Sequence, residues 1–239
     1  MLHGRAVSEP PGSTGPHRTL TDLLSVQEAP MYIPRSFEMP DDEAVRFMRE
    51  HPFAILVGPG PDVPLTATHL PLIYQGTAPA LPLGRLIGHM ARANHHWRTL
   101  DGQAVLAIFQ GPHAYISPTW YGTWPDVPTW NYLAVHVHGI LKVVPDGDAA
   151  HLVEELVGFM EPDSPILGHL GDPAFRRELQ GVTAFHVEIT RIEGKSKLGQ
   201  NRPAEQRVGA VRGLRATGRA EAYDIANLME ATTTRDGDS

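Results

Sequence analysis

Short apolar runs recur at close spacing along this chain, and no long regular helix separates one run from the next. Phe53–Val57 (FAILV), Leu65–Tyr74 (LTATHLPLIY), Arg85–Met90 (RLIGHM) and Ala104–Gln110 (AVLAIFQ) each read as a strand. So do Asn131–Val144 (NYLAVHVHGILKVV), expected to be the longest, and Gly181–Arg191 (GVTAFHVEITR). Ala114–Ser117 adds a short one after a break at Gly111–Pro112, and Pro71 suggests an edge or a bend. Parallel strands need crossovers of a dozen residues or more. Repeated βαβ units with long helices are missing, so a doubly wound sheet is disfavoured. The expected fold is mainly β with peripheral helices, an α+β arrangement around a closed or partly closed antiparallel barrel.

Helical patterns fall at the edges of this scheme. Asp41, Asp42 and Glu43 open a helix whose apolar face is Ala44, Phe47 and Met48, and Pro52 ends it. NHHWRTL is a short helix with Asn94 or a neighbour as its cap. Ala149–Met160 carries a stripe of Leu152, Leu156 and Phe159, and Asp172–Leu179 is a second short helix. From Pro203 onward the pattern is helical, with breaks expected at Gly209, Gly213 and Gly218. Residues 1–30, Pro- and Gly-rich and polar, read as a flexible extension, 31–232 as one domain with C-terminal helices, and 233–239 as a disordered tail.

Composition removes several kinds of chemistry. The 239 residues hold 20 basic and 27 acidic side chains, a net charge of −7, which argues against a mainly electrostatic grip on nucleic acid or on an anionic membrane. There is no cysteine, so disulfides, thiolate catalysis and cysteine-based zinc or iron–sulfur sites are excluded. No apolar run reaches the ~20 residues of a membrane helix, and no basic start with an apolar core suggests a secretory signal. A cytoplasmic location is the expectation.

Phe109–Gly139 concentrates three of the four tryptophans, Trp120, Trp124 and Trp130, with Tyr115, Tyr121 and four prolines. Rigid corners carrying large flat rings suit either a packed core turn or a pocket for a flat ligand. Thirteen histidines raise the question of a metal. His136 and His138 share one face of a strand, but no nearby carboxylate completes a site in the sequence, and no metal is expected.

Seven segments, in order, carry a more specific signal. They are MYIPRSF (31–37), HPF (51–53), ATHLP (67–71), GHMARANHHW (88–97), FQGPHAYISPTW (109–120), VPTWNYLAVH (127–136) and KLGQNR (197–202). Together they resemble the PaiB family, FMN-binding negative transcriptional regulators, over about residues 31–230. The resemblance implies a split β-barrel of the pyridoxamine-phosphate-oxidase type, a homodimer, and a flavin in each of two clefts between the subunits. Two departures stand out: His95–His96 where the family commonly has a proline after ARAN, and Gly199 where a serine is common. The loop at Gly122–Asp126 is also short beside many relatives.

FMN needs donors for a dianionic phosphate, a wall for its ring system and hydrogen bonds to its polar edge. Arg92 and Asn94 follow directly after a strand and precede a helix start, which suits an anion; His89 opens the same segment. Thr66 and Thr68 share one strand face with hydroxyls in reach, while His69 points away and is read as structural. Ser117, Trp120, Trp130 and Asn131 come from the aromatic stretch, either tryptophan as a cleft wall and Asn131 as a polar edge contact. Lys197, Gln200, Asn201 and Arg202 form a polar cluster that the resemblance places at the cleft, against the partner subunit.

The first functional expectation is a flavoprotein, taking hydride from a nicotinamide and passing electrons to a small acceptor. No residue declares itself a general acid or base; His89 and His113 come closest. The second is a regulator of transcription. Residues 191–219 hold eight basic side chains against Glu193 and Glu205, a strip able to meet DNA phosphates, though no helix-turn-helix pattern accompanies it. Haem ligated by a histidine, and a cofactor-free dimeric scaffold, are the alternatives.

Overall fold

A computed structural model describes residues 30–237, and the expectations for the N-terminal extension and for the last two residues of the tail lie outside them. Eight antiparallel strands form one sheet: β1 (Glu38–Met39), β2 (Phe53–Gly58), β3 (Thr66–Pro71), β4 (Ile73–Gln75), β5 (Arg85–Ala91), β6 (Ala104–Ile116), β7 (Thr129–Val143) and β8 (Val182–Lys197). The hydrogen-bonded order is β3-β2-β6-β7-β8-β5-β4, with β1 paired to β8. Its two ends, β3 and β4, are joined through Leu72 alone, and the Leu72 amide donates to the Pro52 carbonyl at 2.8 Å. The sheet therefore curls back on itself as a barrel that is split where β3 passes into β4.

Six helices surround it: α1 (Asp41–Glu50), α2 (Trp97–Leu100), α3 (Ala149–Met160), α4 (Pro173–Leu179), α5 (Ala204–Ala216) and α6 (Ala220–Gly237). Three acidic residues in the first turn favour α1, and Ala44, Phe47 and Met48 are its buried face, as the periodicity predicts. Residues from β2, β5, β6, β7, β8, α5 and α6 meet in the main core, with Leu56, Phe109, Phe185 and Leu214 among its fully buried side chains. A smaller core of Ile73, Ile87, Leu152, Leu156 and Ala184 holds α3 against the opposite face of β4, β5 and β8. Phe159, expected in that stripe, is 37% exposed; Val153 is buried instead.

Four further sequence expectations need correction. Leu65–Tyr74 is two strands rather than one, parted at Leu72. Ala104–Gln110 and Ala114–Ser117 are one strand, β6, whose register slips between Gln110 and His113. Pro112 has no amide to donate, and the bulge absorbs it without ending the strand. The longest strand is β8, not β7, because β8 continues past Arg191 through Glu193, Gly194 and Lys195 to Lys197. Its polar residues are compatible with a strand because they find partners: the Lys195 ammonium donates to the Tyr32 carbonyl at 2.8 Å and lies over the Tyr32 and Tyr132 rings.

The fourth correction concerns α5. Gly209 and Gly213 do not break it; the interruption falls only at Gly218, where φ is +69°. The two helical glycines are a seat for Trp120. A Cβ at Gly209 would stand 2.2 Å from the Trp120 carbonyl oxygen, and one at Gly213 would stand 2.2 Å from the indole ring. Small residues at i and i+4 leave a groove on one helix face, and the indole fills it.

Candidate functional site

The predicted donors fall into two groups. In the first, β3 and the turn after β5 bring Thr68, Asn94 and His96 together. The Asn94 amide donates to Thr68 Oγ1 at 3.3 Å, and Thr68 Oγ1 lies 2.9 Å from His96 Nδ1. Asn94 Oδ1 accepts from the His96 backbone amide at 3.2 Å, so Asn94 steadies the start of α2. With Nδ1 as the acceptor of the Thr68 hydroxyl proton, the neutral His96 ring carries its own proton on Nε2. Burial lowers the His96 pKa, partly offset by the Gly58 backbone, and keeps the ring neutral in agreement with that tautomer. Nε2 is buried beside Gly58 without closing a hydrogen bond of normal geometry. Sequence reasoning passed over His96; its signal was its place in the segment where relatives commonly carry a proline.

Arg92 is two residues from Asn94 but engages other neighbours. Its Nη2 donates to Asp146 Oδ1 at 2.6 Å and to the Val182 carbonyl at 2.8 Å, while Nε is buried without a partner. The side chain borders a cavity of about 470 Å³ shared with Asp146, Arg176 and Gln180. His89 turns toward α3, into an apolar cavity of about 200 Å³ with Leu156 and Met160. Burial lowers its pKa, and its Nδ1 has no hydrogen-bond partner. Thr66 pairs with Gly58 across the sheet, its hydroxyl over Gly60. His69 is exposed, its ring 6.4 Å from that of Phe53.

The second group lies at the far end of β8. Lys197 Nζ donates to Thr129 Oγ1. Burial lowers the Lys197 pKa, and the neighbouring charges of Lys195 and Arg202 act in the same direction. Gln200 staples the turn: its Oε1 accepts from the Leu198 amide at 2.8 Å and its Nε2 donates to the Ser196 carbonyl at 2.7 Å. Arg202 grips Asp126 with both terminal nitrogens, at 2.6 and 2.8 Å, and its guanidinium lies 4.5 Å over the Tyr121 ring. The hydrogen bond to Asp126 raises the Arg202 pKa, and the same bond lowers that of Asp126. Asp126 and Tyr121 were not expected at the site; the paired carboxylate sits 76 residues away and leaves no local signal. Asn201 is exposed.

The aromatic stretch divides between these surroundings and the core. Ser117 caps its own 3-10 turn through Thr119, and Asn131 is buried with its amide 3.3 Å from Met229 Sδ. Trp120 is half-buried on α5, whereas Trp130 is half-exposed, edge-on to Tyr115 at 6.2 Å and 6.0 Å from His113. On the outer face of β6 and β7, Trp130, Tyr132, Ile108 and His136 line an open concavity of about 320 Å³. His136 and His138 gain a carboxylate that the sequence did not offer: β8 places Glu193 2.9 Å from His138 Nε2, with Arg191 Nη2 at 3.1 Å from the same atom. Among the described residues no group of three or more His, Cys, Asp or Glu is placed to hold a metal ion.

The basic strip at 191–219 is largely engaged with the protein itself. Lys195 and Arg207 are buried, Arg202 is held by Asp126, and Arg215 donates to Asn227 at 2.9 Å and Glu230 at 2.7 Å. What the surface offers is a hydroxyl–amide–imidazole cluster, an arginine with an unpartnered buried N–H, a desolvated lysine and an exposed aromatic sheet face. That donor set suits a flat, phosphorylated heteroaromatic molecule.

Residues 31–191 match the family described as "Putative FMN-binding domain". The chain belongs to this FMN-binding, PaiB-like family. FMN is the cofactor that membership assigns to it. The matched span stops before Lys197–Arg202, α5 and α6. The chain is also 35% identical, over 208 residues, to protease synthase and sporulation protein PAI 2 of Bacillus subtilis, covering 84% of this chain and 97% of that protein. Two solved structures share the fold at 15% identity. The FAD and heme binding protein of Mycobacterium smegmatis has a TM-score of 0.54, over 74% of this chain and 80% of that one. The flavocytochrome Anf3 of Azotobacter vinelandii has a TM-score of 0.53, over 70% and 72%. The family-member fold is the split barrel with an α+β complement of helices.

Proposed function

We propose that this protein is a cytoplasmic homodimeric flavoprotein whose FMN lies in clefts shared by two copies of the chain, with a role in flavin redox chemistry or in repression of transcription. The observation that carries the dimer is the separation of the donors. Thr68 and Asn94, with Arg92 nearby, stand near the start of β8, and Lys197 and Arg202 at its end, with an exposed apolar sheet face between. Phe53 and Trp130 are 65% and 52% exposed on that face, more than an apolar surface of a lone barrel favours. A second copy, turned about a two-fold axis, brings one chain's first group to the other's second group.

Held there, FMN would supply hydride and electron transfer between a donor such as a nicotinamide and a small acceptor. The chain's own contribution is binding and orientation. Arg92 Nε and the Lys197 ammonium supply positive donors, the Asn94 amide supplies a neutral donor, the Thr68 oxygen an acceptor, and the Trp130 ring a wall. The buried, neutral His96 fixes the Thr68 hydroxyl and so its direction.

The relative's sporulation name supports a regulatory role, and the engaged basic strip favours one exercised without a broad DNA-phosphate surface. Absorbance of the purified full chain, with FMN titrated in and mass measured by light scattering, tests the proposal. A bound-flavin spectrum, a dimeric mass, and FMN affinity reduced about tenfold or more in Arg92→Ala are expected. A Soret band would favour haem. A monomer that binds no FMN would overturn the reading.

A further inference from the structure

We propose that the cavity between Trp120, Trp130 and the C-terminal helices is a second ligand site, for a small aromatic amino acid. The cavity holds about 230 Å³, below the ~300–1,000 Å³ typical of drug-sized ligands, so it takes one ring system. Its walls are Tyr115, Trp120 and Trp130, and its floor includes Leu214 and Ala222. Both floor residues come from α5 and α6, beyond the span that matches the FMN-binding family. None of Thr68, Arg92, Asn94, Lys197 or Arg202 lines it. Trp130 and His113 border both this cavity and the open concavity on the outer sheet face.

The cavity is held open by packing. Gly209 and Gly213 seat the Trp120 indole on α5, so the ring is not free to collapse inward. A preformed aromatic slot binds a flat ring with little ordering cost. The mouth carries the second observation. Arg219 and Glu221 both line it, and among the described residues neither has an ion-pair partner. Arg215, one turn earlier in sequence, is paired with Glu230, so the unpaired state is not general to this surface. An unpaired cation and an unpaired anion, two residues apart beside an aromatic slot, match the carboxylate and ammonium of an α-amino acid whose ring enters the slot.

The test uses the full-length protein and 4-fluoro-L-phenylalanine, followed by fluorine NMR line broadening. Saturable broadening, displaced by L-phenylalanine, is expected. Binding falls about tenfold or more in Arg219→Gln, the size of one lost charge-assisted contact. It falls similarly in Trp130→Ala, and for 4-fluorophenethylamine, which lacks the carboxylate. Arg219 is exposed and Trp130 half-exposed, so both variants keep the fold, which circular dichroism checks. Absence of saturable binding, or equal binding by Arg219→Gln, would overturn the site. Displacement by FMN would do so as well, since it would make the cavity part of the flavin cleft.

Discussion

Substituting Gly213 by alanine tests the packing of the C-terminal helices on the barrel, because two effects of known size oppose each other there. Alanine in a helix interior is favoured over glycine by roughly 1 kcal/mol. The new Cβ, however, would stand 2.2 Å from Trp120 Cδ2 and 2.4 Å from Cγ, where carbon atoms prefer ~3.5–4.0 Å. The indole must move by more than an ångström, and Gly209 against the Trp120 carbonyl prevents an easy slide along the helix. Overpacking of this kind costs about 1–3 kcal/mol, and the closeness of three ring atoms puts it toward the upper end. The net expectation for Gly213→Ala is a loss of about 1–2 kcal/mol, or ~2–4 °C per kcal/mol in thermal midpoint for a chain of this size. In a Trp120→Ala background the obstacle is gone and the same change gains up to ~1 kcal/mol. Urea unfolding of the four proteins, read by far-ultraviolet circular dichroism at one protein concentration, closes the cycle. The coupling energy should be about 2–3 kcal/mol with a reversal of sign between backgrounds. The same sign in both would refute the seat.

Two further outcomes follow from the second donor group. The hydrogen bond from Arg202 holds the Asp126 pKa below its unfolded value of ~3.9. Asp126 therefore contributes stability that is present in full above that value and disappears as pH falls through the folded pKa. The stability gap between the wild type and Asp126→Asn should be flat near neutrality and close in acid; a gap that persists at the acid end would exclude this ion pair as its source. At Gly199, φ is +82°, while a Cβ would come no nearer than 3.7 Å to Met229 and 3.9 Å to the Asn131 amide. Gly199→Ser should lose about 1 kcal/mol through its backbone, with FMN affinity unchanged, since a hydroxyl there meets the interior rather than a ligand. Tighter FMN binding by the variant would show that the serine common in relatives faces the cofactor.

Much of the barrel was legible because its strands alternate against one dominant core. FAILV and AVLAIFQ bury every second residue, as does Phe185–Ile189 within β8, and α1 buries its apolar positions at i, i+3 and i+4. The errors fall where a tertiary partner decides a local conflict. A Gly-Pro pair reads as an end, yet β7 pairs with β6 on both sides of it and turns the interruption into a bulge. EGKSK reads as a loop, yet β1 and β7 pair with it on either side and extend β8 to Lys197. Two glycines read as helix breaks because their propensity cost is visible in the sequence, whereas the indole that repays it is 89 and 93 residues away.

The site was less legible for a related reason. Donor types are local, but donor availability is not. Arg92 was legible as a cation after a strand, while its engagement by Asp146 and Val182 depends on α3 and β8 arriving beside it. Asn131 was expected to meet the polar edge of the cofactor and is instead buried with its amide on Met229 of the last helix. Arg202 looked free to meet a ligand and is clamped by Asp126. In each case the motif marks a place where polar groups are concentrated, and the fold then commits some of them to one another. Among the groups left uncommitted are His89 Nδ1, Arg92 Nε, His96 Nε2 and the mouth charges of Arg219 and Glu221. Three of these five residues lie in the segment 88–97 whose motif signalled the family, while Arg219 sits in the linker before α6 and Glu221 in its first turn, past the matched span. The search for what this protein binds therefore has to extend past the end of its recognised domain.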